Sequence, residues 1–390
     1  MPLQCKHDTP SRRRPPLNRL DLRAPLLKSP CGCLTPAGSL MNLYKDLVFP
    51  RLVRLDPETA HDRAVRLLAL AETLPPGRWA LGAVAGRIPY RPVCVCGLRF
   101  PNPIGIAAGF DKDVRVAAGL AELGWGHVEV GTLTPRPQAG NPQPRVFRLP
   151  ESGALINRMG FPNGGVESAL PRLKRLASCR RSFVLGVSLG KQKETPLEDA
   201  AADYLAVQRH VYPFADYLAV NVSSPNTPDL RRLQGRAYLE DLLGTLVREG
   251  RTLARHGYLP RRPIFVKLAP DLTDSELTDT VQAALAAGID GIIATNTTLA
   301  RDGVPGEKAA EAGGLSGRPL AARSTAMIAR LRDLTGGHVP LIGAGGVFTA
   351  DDVREKLDAG ATLVQVYTGF VYEGPRLAGN VLRALEKQDG

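Results

Sequence analysis

The chain has 390 residues, of which 44% are hydrophobic and 5% aromatic, and its formal net charge at pH 7 is +12. This length and apolar content predict a large core and suit an α/β barrel, which often exceeds about 250 residues as one domain. No run of about 18 uncharged apolar residues occurs, so we expect no membrane-spanning helix and a chain that is soluble or peripheral.

The positive charge suits nucleic acid, an anionic membrane surface or an anionic substrate. Aromatic residues do not interleave with the basic clusters at 172–181 and 231–236, and no nucleic-acid motif is present, so nucleic-acid binding is disfavoured. The six cysteines lack C-x₂-C spacing and a nearby set of histidines, so no metal site is predicted. A secretory signal is not visible either, which favours a cytosolic protein with reduced thiols.

The first predicted segment, residues 1–40, is rich in proline, arginine and serine and has no hydrophobic periodicity. Such a composition is typical of a disordered, basic extension. Met41 begins a sequence that resembles a natural amino terminus. We therefore interpret residues 1–40 as an upstream extension or the product of a misassigned start.

Residues 41–88 are predicted to form a small helical module ahead of the main domain. Apolar residues recur at roughly helical spacing over residues 42–55, with an interruption at Pro50. Asp56 and Pro57 then provide an N-cap and a first-turn proline for a second helix, which should run to about Leu74. The apolar faces of these helices could pack as ordinary core or form an exposed entrance to a site.

From residue 93 onward, short apolar runs alternate with helical patterns. The runs fall at 104–108, 127–131, 183–188, 217–222, 264–268, 291–295, 339–345 and 362–367. The helical patterns between them include residues 114–123, 197–211, 274–287 and 321–334. Eight β-like runs with intervening helices predict a (β/α)₈ TIM barrel over residues 93–390, with a doubly wound open sheet as the alternative.

Polar residues gather where each predicted strand ends, which is the face on which such barrels carry their active sites. The most informative segment is NVSSPNTP at 221–228, since prolines disfavour a helix there and two asparagine amides could bracket a flat ligand. A capped turn is the alternative for this segment taken alone. Lys267 stands inside an apolar strand, where its charge requires an anion unless the ammonium reaches the rim. The glycines at 313–314, 317, 345–346 and 369 suggest a phosphate cradle.

Together these motifs resemble the dihydroorotate dehydrogenase family. The resemblance runs from about residue 43 to the carboxyl terminus and rests on AAGFDK (107–112), INRMGFPN (156–163), NVSSPNTPDLR (221–231), VKLAPDL (266–272), ATNTT (294–298), GGLSGRPL (313–320), IGAGG (342–346) and YTGF (367–370). It implies a barrel with one FMN that oxidises dihydroorotate to orotate in pyrimidine biosynthesis. A flavin-dependent tRNA dihydrouridine synthase and a non-catalytic basic barrel are the alternatives.

The resemblance also implies roles for individual residues. Ser224 occupies the position of the catalytic base, and this serine and the helical module match the quinone-linked, membrane-associated class. The substrate-binding positions are Lys112, Asn157, Arg158, Met159, Gly160, Phe161, Asn221, Asn226, Asn296 and Thr297. The FMN-binding positions are Ala107, Ala108, Gly109, Thr132, Ser188, Asn221, Lys267, Thr295, Gly317, Gly346, Tyr367 and Thr368. Ser188 replaces the asparagine that is usual near the flavin, so its contact with FMN is in doubt.

For the electron acceptor, the resemblance implies a membrane quinone as co-substrate and points to His61, Arg136 and Tyr367 near its head group. Residues 41–88 would then form the quinone entrance and make peripheral contact with the cytoplasmic side of the cell membrane. We expect a monomer or weak dimer that binds no metal and no nucleic acid.

Overall fold

Eight parallel strands close into a barrel in the computed structural model, which describes residues 42–389. Each barrel strand pairs with the next one along the chain, and the last pairs with the first through the register Val364 to Ile104. The predicted TIM barrel is therefore confirmed, and the open-sheet alternative is wrong. The predicted extension over residues 1–40 lies outside the described residues.

The strands follow one another as β1 (Val93–Val95), β2 (Leu98–Phe100), β3 (Ile104–Ile106), β4 (His127–Leu133), β5 (Val146–Leu149), β6 (Ala154–Asn157), β7 (Val184–Leu189), β8 (Tyr217–Asn221), β9 (Ile264–Leu268), β10 (Gly291–Ala294), β11 (Gly314–Gly317), β12 (Leu341–Ala344) and β13 (Leu363–Val366). The barrel consists of β3, β4, β7, β8, β9, β10, β12 and β13. All eight predicted apolar runs are barrel strands.

The helices are α1 (Phe49–Leu52), α2 (Pro57–Thr73), α3 (Pro75–Ala85), α4 (Ala117–Glu122), α5 (Gly165–Ser178), α6 (Ala200–Val211), α7 (Arg236–His256), α8 (Asp274–Ala287), α9 (Ala321–Leu334), α10 (Ala350–Asp358), α11 (Thr368–Glu373) and α12 (Leu377–Asp389). A π-helical turn over Tyr44–Val48 precedes α1. Short 3₁₀ turns occupy Pro150–Ser152, Leu230–Gln234, Glu307–Ala310 and Arg318–Leu320.

The helical module contains one helix more than its sequence predicts. The carboxylate of Asp56 caps α2 by accepting a hydrogen bond from Thr59 N at 2.8 Å, as expected from the sequence. Helix α2 ends at Thr73, close to the predicted end at Leu74, and the additional helix α3 begins at Pro75. Proline is tolerated there because the first turn of a helix needs no backbone N–H donors.

Two smaller sheets close the ends of the barrel. The β1–β2 hairpin places Val95 and Phe100 against apolar residues near the amino-terminal ends of the barrel strands, including Tyr217 and Phe265. Strands β5, β6 and β11 form an antiparallel sheet beside the opposite mouth. The sequence analysis did not predict either sheet, although the second one supplies part of the functional site.

The helical module packs directly on the barrel. Helix α2 contacts α4 and β5, and Val65 of α2 belongs to the main hydrophobic core. Glu58 of α2 pairs with Arg145 at 2.6 Å, and both side chains are largely buried. The module is thereby fixed above the mouth where strands β3 and β4 end.

Candidate active site

A cavity opens at the carboxyl ends of the barrel strands. It contains about 1200 Å³ of space between atoms, part of it open to solvent. Seven of the eight barrel strands, or the loops directly after them, contribute lining residues, and β7 is the exception; strands β6 and β11 close one side. Ligand pockets of TIM barrels lie at this face because every parallel strand delivers its following loop there.

Most of the predicted site residues lie together in this cavity. The lining residues include Ala107, Ala108, Gly109, Lys112, Thr132, Asn157, Met159, Gly160, Phe161, Asn221, Ser224, Asn226, Lys267, Thr295, Asn296, Thr297, Gly317, Gly346, Tyr367 and Thr368. They extend from Ala107 to Thr368, which are 261 positions apart in the sequence, so only the barrel topology brings them together. The side chains of Arg158, Ser188, Arg136 and His61 are not among the lining groups.

Four asparagine side chains of the cavity form two hydrogen-bonded pairs, which together make an amide cluster in the same cavity as Ser224. Asn226 Nδ2 donates to Asn157 Oδ1 at 3.0 Å, and Asn296 Nδ2 donates to Asn221 Oδ1 at 3.2 Å. An amide offers a donor and an acceptor on one planar group, so this cluster can pair with alternating N–H and C=O groups of a planar ligand. Ser224 is 5% exposed, and its Oγ accepts a hydrogen bond from Asn226 N at 3.2 Å.

A second group of residues forms an anion-binding end of the cavity. Gly345 and Gly346 have φ values of +119° and +75°, and their backbone N–H groups have no hydrogen-bond partner among the described residues. A Cβ on Gly346 would lie 2.4 Å from the Cβ of Ala321, the first residue of α9. The glycine backbone therefore lies directly against the amino-terminal end of an α-helix, an arrangement that favours a phosphate group.

A buried polar cluster lies in the cavity floor, inside the barrel. Glu129 is fully buried, and its Oε2 accepts hydrogen bonds from Tyr217 Oη at 3.0 Å and Gln365 Nε2 at 2.8 Å. Its Oε1 has no hydrogen-bond partner among the described residues and lies 3.9 Å from Lys267 Nζ. Burial lowers the pKa of Lys267, and the Glu129 carboxylate opposes that effect. Lys267 thus directs a cation with unused hydrogen-bond donors into the cavity.

Lys112 supplies another cation at the side of the cavity that faces the helical module. Burial lowers its pKa, whereas the carboxylates of Glu58, Asp62 and Asp113 raise it. Glu58 and Asp62 lie on α2, so the module contributes to the electrostatic environment of this lysine. The arrangement suits an anionic group on the bound ligand.

Comparison with known proteins identifies the family of this chain. Residues 92–388 match the dihydroorotate dehydrogenase family model. The chain belongs to the dihydroorotate dehydrogenase family. A Methylococcus capsulatus protein named dihydroorotate dehydrogenase (quinone) is 49% identical over 345 residues, which are 88% of this chain and 99% of that protein. A Cellvibrio japonicus protein of the same name is 49% identical over 336 residues, covering 85% of this chain and 94% of that protein.

Solved structures agree with this assignment to the dihydroorotate dehydrogenase family. The Eimeria tenella DHODH in complex with ferulenol has a TM-score of 0.78 and 38% identity, covering 87% of this chain and 94% of that chain. The ligand-free Eimeria tenella DHODH also has a TM-score of 0.78, with 39% identity. The family match decides against the dihydrouridine synthase and the non-catalytic barrel considered above.

The side chains of two predicted site residues, Arg158 and Ser188, do not point into the cavity. The guanidinium of Arg158 pairs with Glu311 at 2.6 Å and lies over the ring of Phe147. Ser188 is fully buried, and its Oγ is hydrogen-bonded to Thr132 Oγ1 at 2.9 Å. Neither side chain lines the cavity, so neither is placed to contact a ligand directly. Ser188 instead orients Thr132, which does line the cavity.

The three residues predicted for the quinone head group are divided between two places. The rings of His61 on α2 and Tyr367 both pack on Phe110, with centroids 5.0 Å and 6.1 Å away. Burial lowers the pKa of His61 to about 3 and raises that of Tyr367 to about 12, so both side chains are neutral near pH 7. Arg136 instead donates to Gln192 Oε1 at 2.8 Å and is not brought to this aromatic group.

The sequence analysis missed two residues that line the cavity, Ser316 and Gln365. It also missed Arg148 of β5, which does not line the cavity but donates to Leu55 O of the helical module at 2.8 Å. Ser316 of β11 lines the cavity and is hydrogen-bonded to Thr368 Oγ1 at 2.8 Å. Gln365 lines the cavity floor. Its position as a polar residue within the apolar strand TLVQVY is the same signal that identified Lys267, and it could have been found in this way.

No metal-binding cluster of three or more His, Cys, Asp or Glu side chains is found in the described part of the chain. Within residues 42–389, every helix is too short or too polar to cross a bilayer.

Proposed function

We propose that this chain is an FMN-dependent dihydroorotate dehydrogenase. It oxidises (S)-dihydroorotate to orotate in pyrimidine (UMP) biosynthesis and passes the electrons to a membrane quinone. The observation that carries this proposal is the meeting of Ser224, the asparagine cluster and Lys267 in one cavity of a chain in this family.

The residues present fit FMN, which accepts a hydride from the substrate when bound. Gly346, with φ at +75°, packs its backbone against Ala321 at the start of α9, and this position would suit the phosphate; Gly317, with φ at +100°, lines the same cavity. Lys267 would hold the flavin ring with a buried cation, which would favour negative charge on that ring. The carboxylate of Glu129, whose Oε1 lies 3.9 Å from Lys267 Nζ and has no hydrogen-bond partner among the described residues, partly balances the positive charge of Lys267.

The substrate role falls to the amide cluster and Lys112. The asparagines at positions 157, 221, 226 and 296 match the donors and acceptors of a pyrimidinedione, and Thr297 extends the cluster through its N–H to Asn296 Oδ1 at 2.7 Å. Lys112 binds the substrate carboxylate. These contacts orient the ring so that carbon 5 meets Ser224 on one face.

Ser224 acts as the base that receives the proton from carbon 5. A serine hydroxyl is a weak base, so the site must exclude bulk water, hold the oxygen in place and leave an acceptor for the hydroxyl proton. Ser224 is 5% exposed, and the N–H of Asn226 donates to its Oγ. When Oγ takes up the substrate proton, its own hydroxyl proton passes to a water molecule that reaches Ser224 from the solvent side of the cavity, and the serine stays neutral.

The helical module provides the route for the quinone and the contact with the membrane. Among the exposed large apolar side chains, eight lie on residues 43–84: Leu43, Leu47, Val48, Leu67, Leu70, Leu74, Trp79 and Val84. Such a concentration favours insertion into a lipid surface. His61 and Tyr367 then line the path from this surface to the cavity. The contact is peripheral, at the cytoplasmic side of the cell membrane, and the enzyme acts as a monomer or weak dimer.

Three measurements test the proposed function. The purified full chain should be yellow with about one FMN released on denaturation, and it should oxidise dihydroorotate with a short-chain quinone but not with fumarate or NAD. Ser224→Ala should lower turnover by at least about 100-fold while FMN stays bound.

Thr227→Val is the matched control for Ser224→Ala. Thr227 lies on the same loop, is 4% exposed, and its Oγ1 has no hydrogen-bond partner among the described residues. This variant should keep most of the turnover. Unchanged turnover in Ser224→Ala, or an equal loss in Thr227→Val, contradicts the base assignment.

A further inference from the structure

A buried lysine behind the anion-binding end of the cavity has no role in the mechanism above. Lys356 of α10 is 1% exposed. Its Nζ donates to Thr325 Oγ1 at 3.0 Å, Ser324 Oγ at 3.2 Å and Ala321 O at 3.5 Å. All three acceptors are neutral oxygens, so the hydrogen bonds are satisfied but the charge is not balanced.

The position is electrostatically unfavourable for a cation. All three acceptors belong to the first turn and a half of α9, where the helix dipole is positive and no acidic residue occurs in the first turn. The carboxylates of Asp352 and Glu355 raise the pKa of Lys356 and lie on the same helix as this lysine. Neither forms an ion pair with it among the described residues. Burial lowers the pKa of Lys356 to about 8. A buried ammonium at the positive end of a helix destabilises the folded protein unless an anion lies nearby.

The nearest place for such an anion is the glycine pair after β12. Ser324 Oγ, which accepts from Lys356, donates in turn to Ala344 O at 2.7 Å. Ala344 immediately precedes Gly345, and a Cβ on Gly345 would lie 3.2 Å from Ser324 Cβ. Lys356 is therefore two hydrogen bonds behind the cradle, on the side away from the cavity.

We propose that Lys356 supplies the buried positive charge that balances the ligand phosphate held by Gly345 and Gly346, without touching it. The proposal rests on the proposed function in one respect, which is that the phosphate belongs to FMN. Lys356 and the amino-terminal end of α9 act from behind the glycine backbone, through an interior of low dielectric where charges interact strongly. The backbone N–H groups give the phosphate its geometry, and Lys356 adds to its electrostatic stabilisation.

The test compares two flavins that differ only in the phosphate. Full-length chain freed of flavin is titrated with FMN and with riboflavin, for wild type, Lys356→Gln and Lys356→Arg, and binding is followed by quenching of flavin fluorescence. In Lys356→Gln, the affinity for FMN should fall about 10- to 100-fold while that for riboflavin changes less than about threefold. Lys356→Arg keeps the charge and should restore most of the preference for FMN.

Lys356→Met serves as a second neutral variant if glutamine prevents folding. Its unbranched apolar chain can replace the lysine stem that packs near Gly343 and Ala361. An equal loss of FMN and riboflavin affinity in the neutral variants overturns the proposal, because it would mean that Lys356 only supports local packing. An unchanged ratio of the two affinities also overturns it. Wild-type chain that binds neither flavin would instead contradict the proposed function.

Discussion

Arg231 connects three loops of the active-site face, and its removal should lower catalysis without removing the flavin. Its Nε donates to Ser223 O at 3.1 Å, its Nη2 to Thr297 O at 2.9 Å and its Nη1 to Asp271 Oδ2 at 2.8 Å. Ser223 precedes the proposed base Ser224. The guanidinium therefore holds the base loop in register with the loops that follow β9 and β10.

The size of the effect follows from what remains after truncation. Breaking a fully buried ion pair costs about 3–5 kcal/mol, but Arg231 and Asp271 are 21% and 19% exposed. Asp271 also keeps its hydrogen bond from Leu299 N at 3.0 Å and its pairing with Arg323 at 3.1 Å. We therefore expect Arg231→Ala to raise the free energy of the ordered loop arrangement by about 2 kcal/mol. This corresponds to about a 30-fold loss in kcat/KM for dihydroorotate.

The assay measures kcat and KM for dihydroorotate and the FMN content from the visible absorbance. Arg232→Ala is the matched control, because Arg232 is adjacent in sequence but 64% exposed, and its one ion pair within residues 42–389 is with Asp229, at 3.7 Å. Arg231→Lys should recover part of the loss, since it keeps the charge but not the three-way geometry. A value of kcat/KM within twofold of wild type for Arg231→Ala, or an equal fall for Arg232→Ala, would refute the reasoning.

Three further predictions concern the flavin site and the core. Lys267→Met should slow anaerobic bleaching of the flavin by dihydroorotate about 100-fold in stopped-flow experiments while FMN stays bound; an unchanged rate would rule out its electrostatic role. Gly346→Ala, with φ at +75° and a Cβ 2.4 Å from that of Ala321, should yield colourless protein, whereas Gly82→Ala, whose Cβ meets nothing within 4 Å, should stay yellow. Burial lowers the pKa of His127 to about 3, below its unfolded value, so its contribution to stability is complete above about pH 6.5 and is lost as the pH falls towards 3. Urea unfolding should show about 2 kcal/mol lost for this histidine between pH 6.5 and 5, and His127→Phe should lack that loss; an identical loss in the variant would contradict the assignment.

The sequence determined the barrel and the set of residues at its mouth because those features depend on local patterns. Buried parallel strands are short apolar runs, and the residues that follow them must lie at one face whatever the helices outside contain. Lys267 could be recognised for a similar reason, since a charge within such a run is costly and requires an explanation. The NVSSPNTP segment became decisive only when combined with the other strand ends.

Only the tertiary structure decided where individual side chains point. Arg158 lies between two residues that line the cavity, yet its side chain pairs with Glu311, and Ser188 of β7 is hydrogen-bonded to Thr132. Arg136 is likewise separated from His61. Side-chain direction depends on which partner is nearest in space, and a contact such as that between Lys356 and the first turn of α9 joins residues about 30 positions apart on different helices. Such partners cannot be predicted from local sequence patterns, because they come into contact only after the barrel has closed.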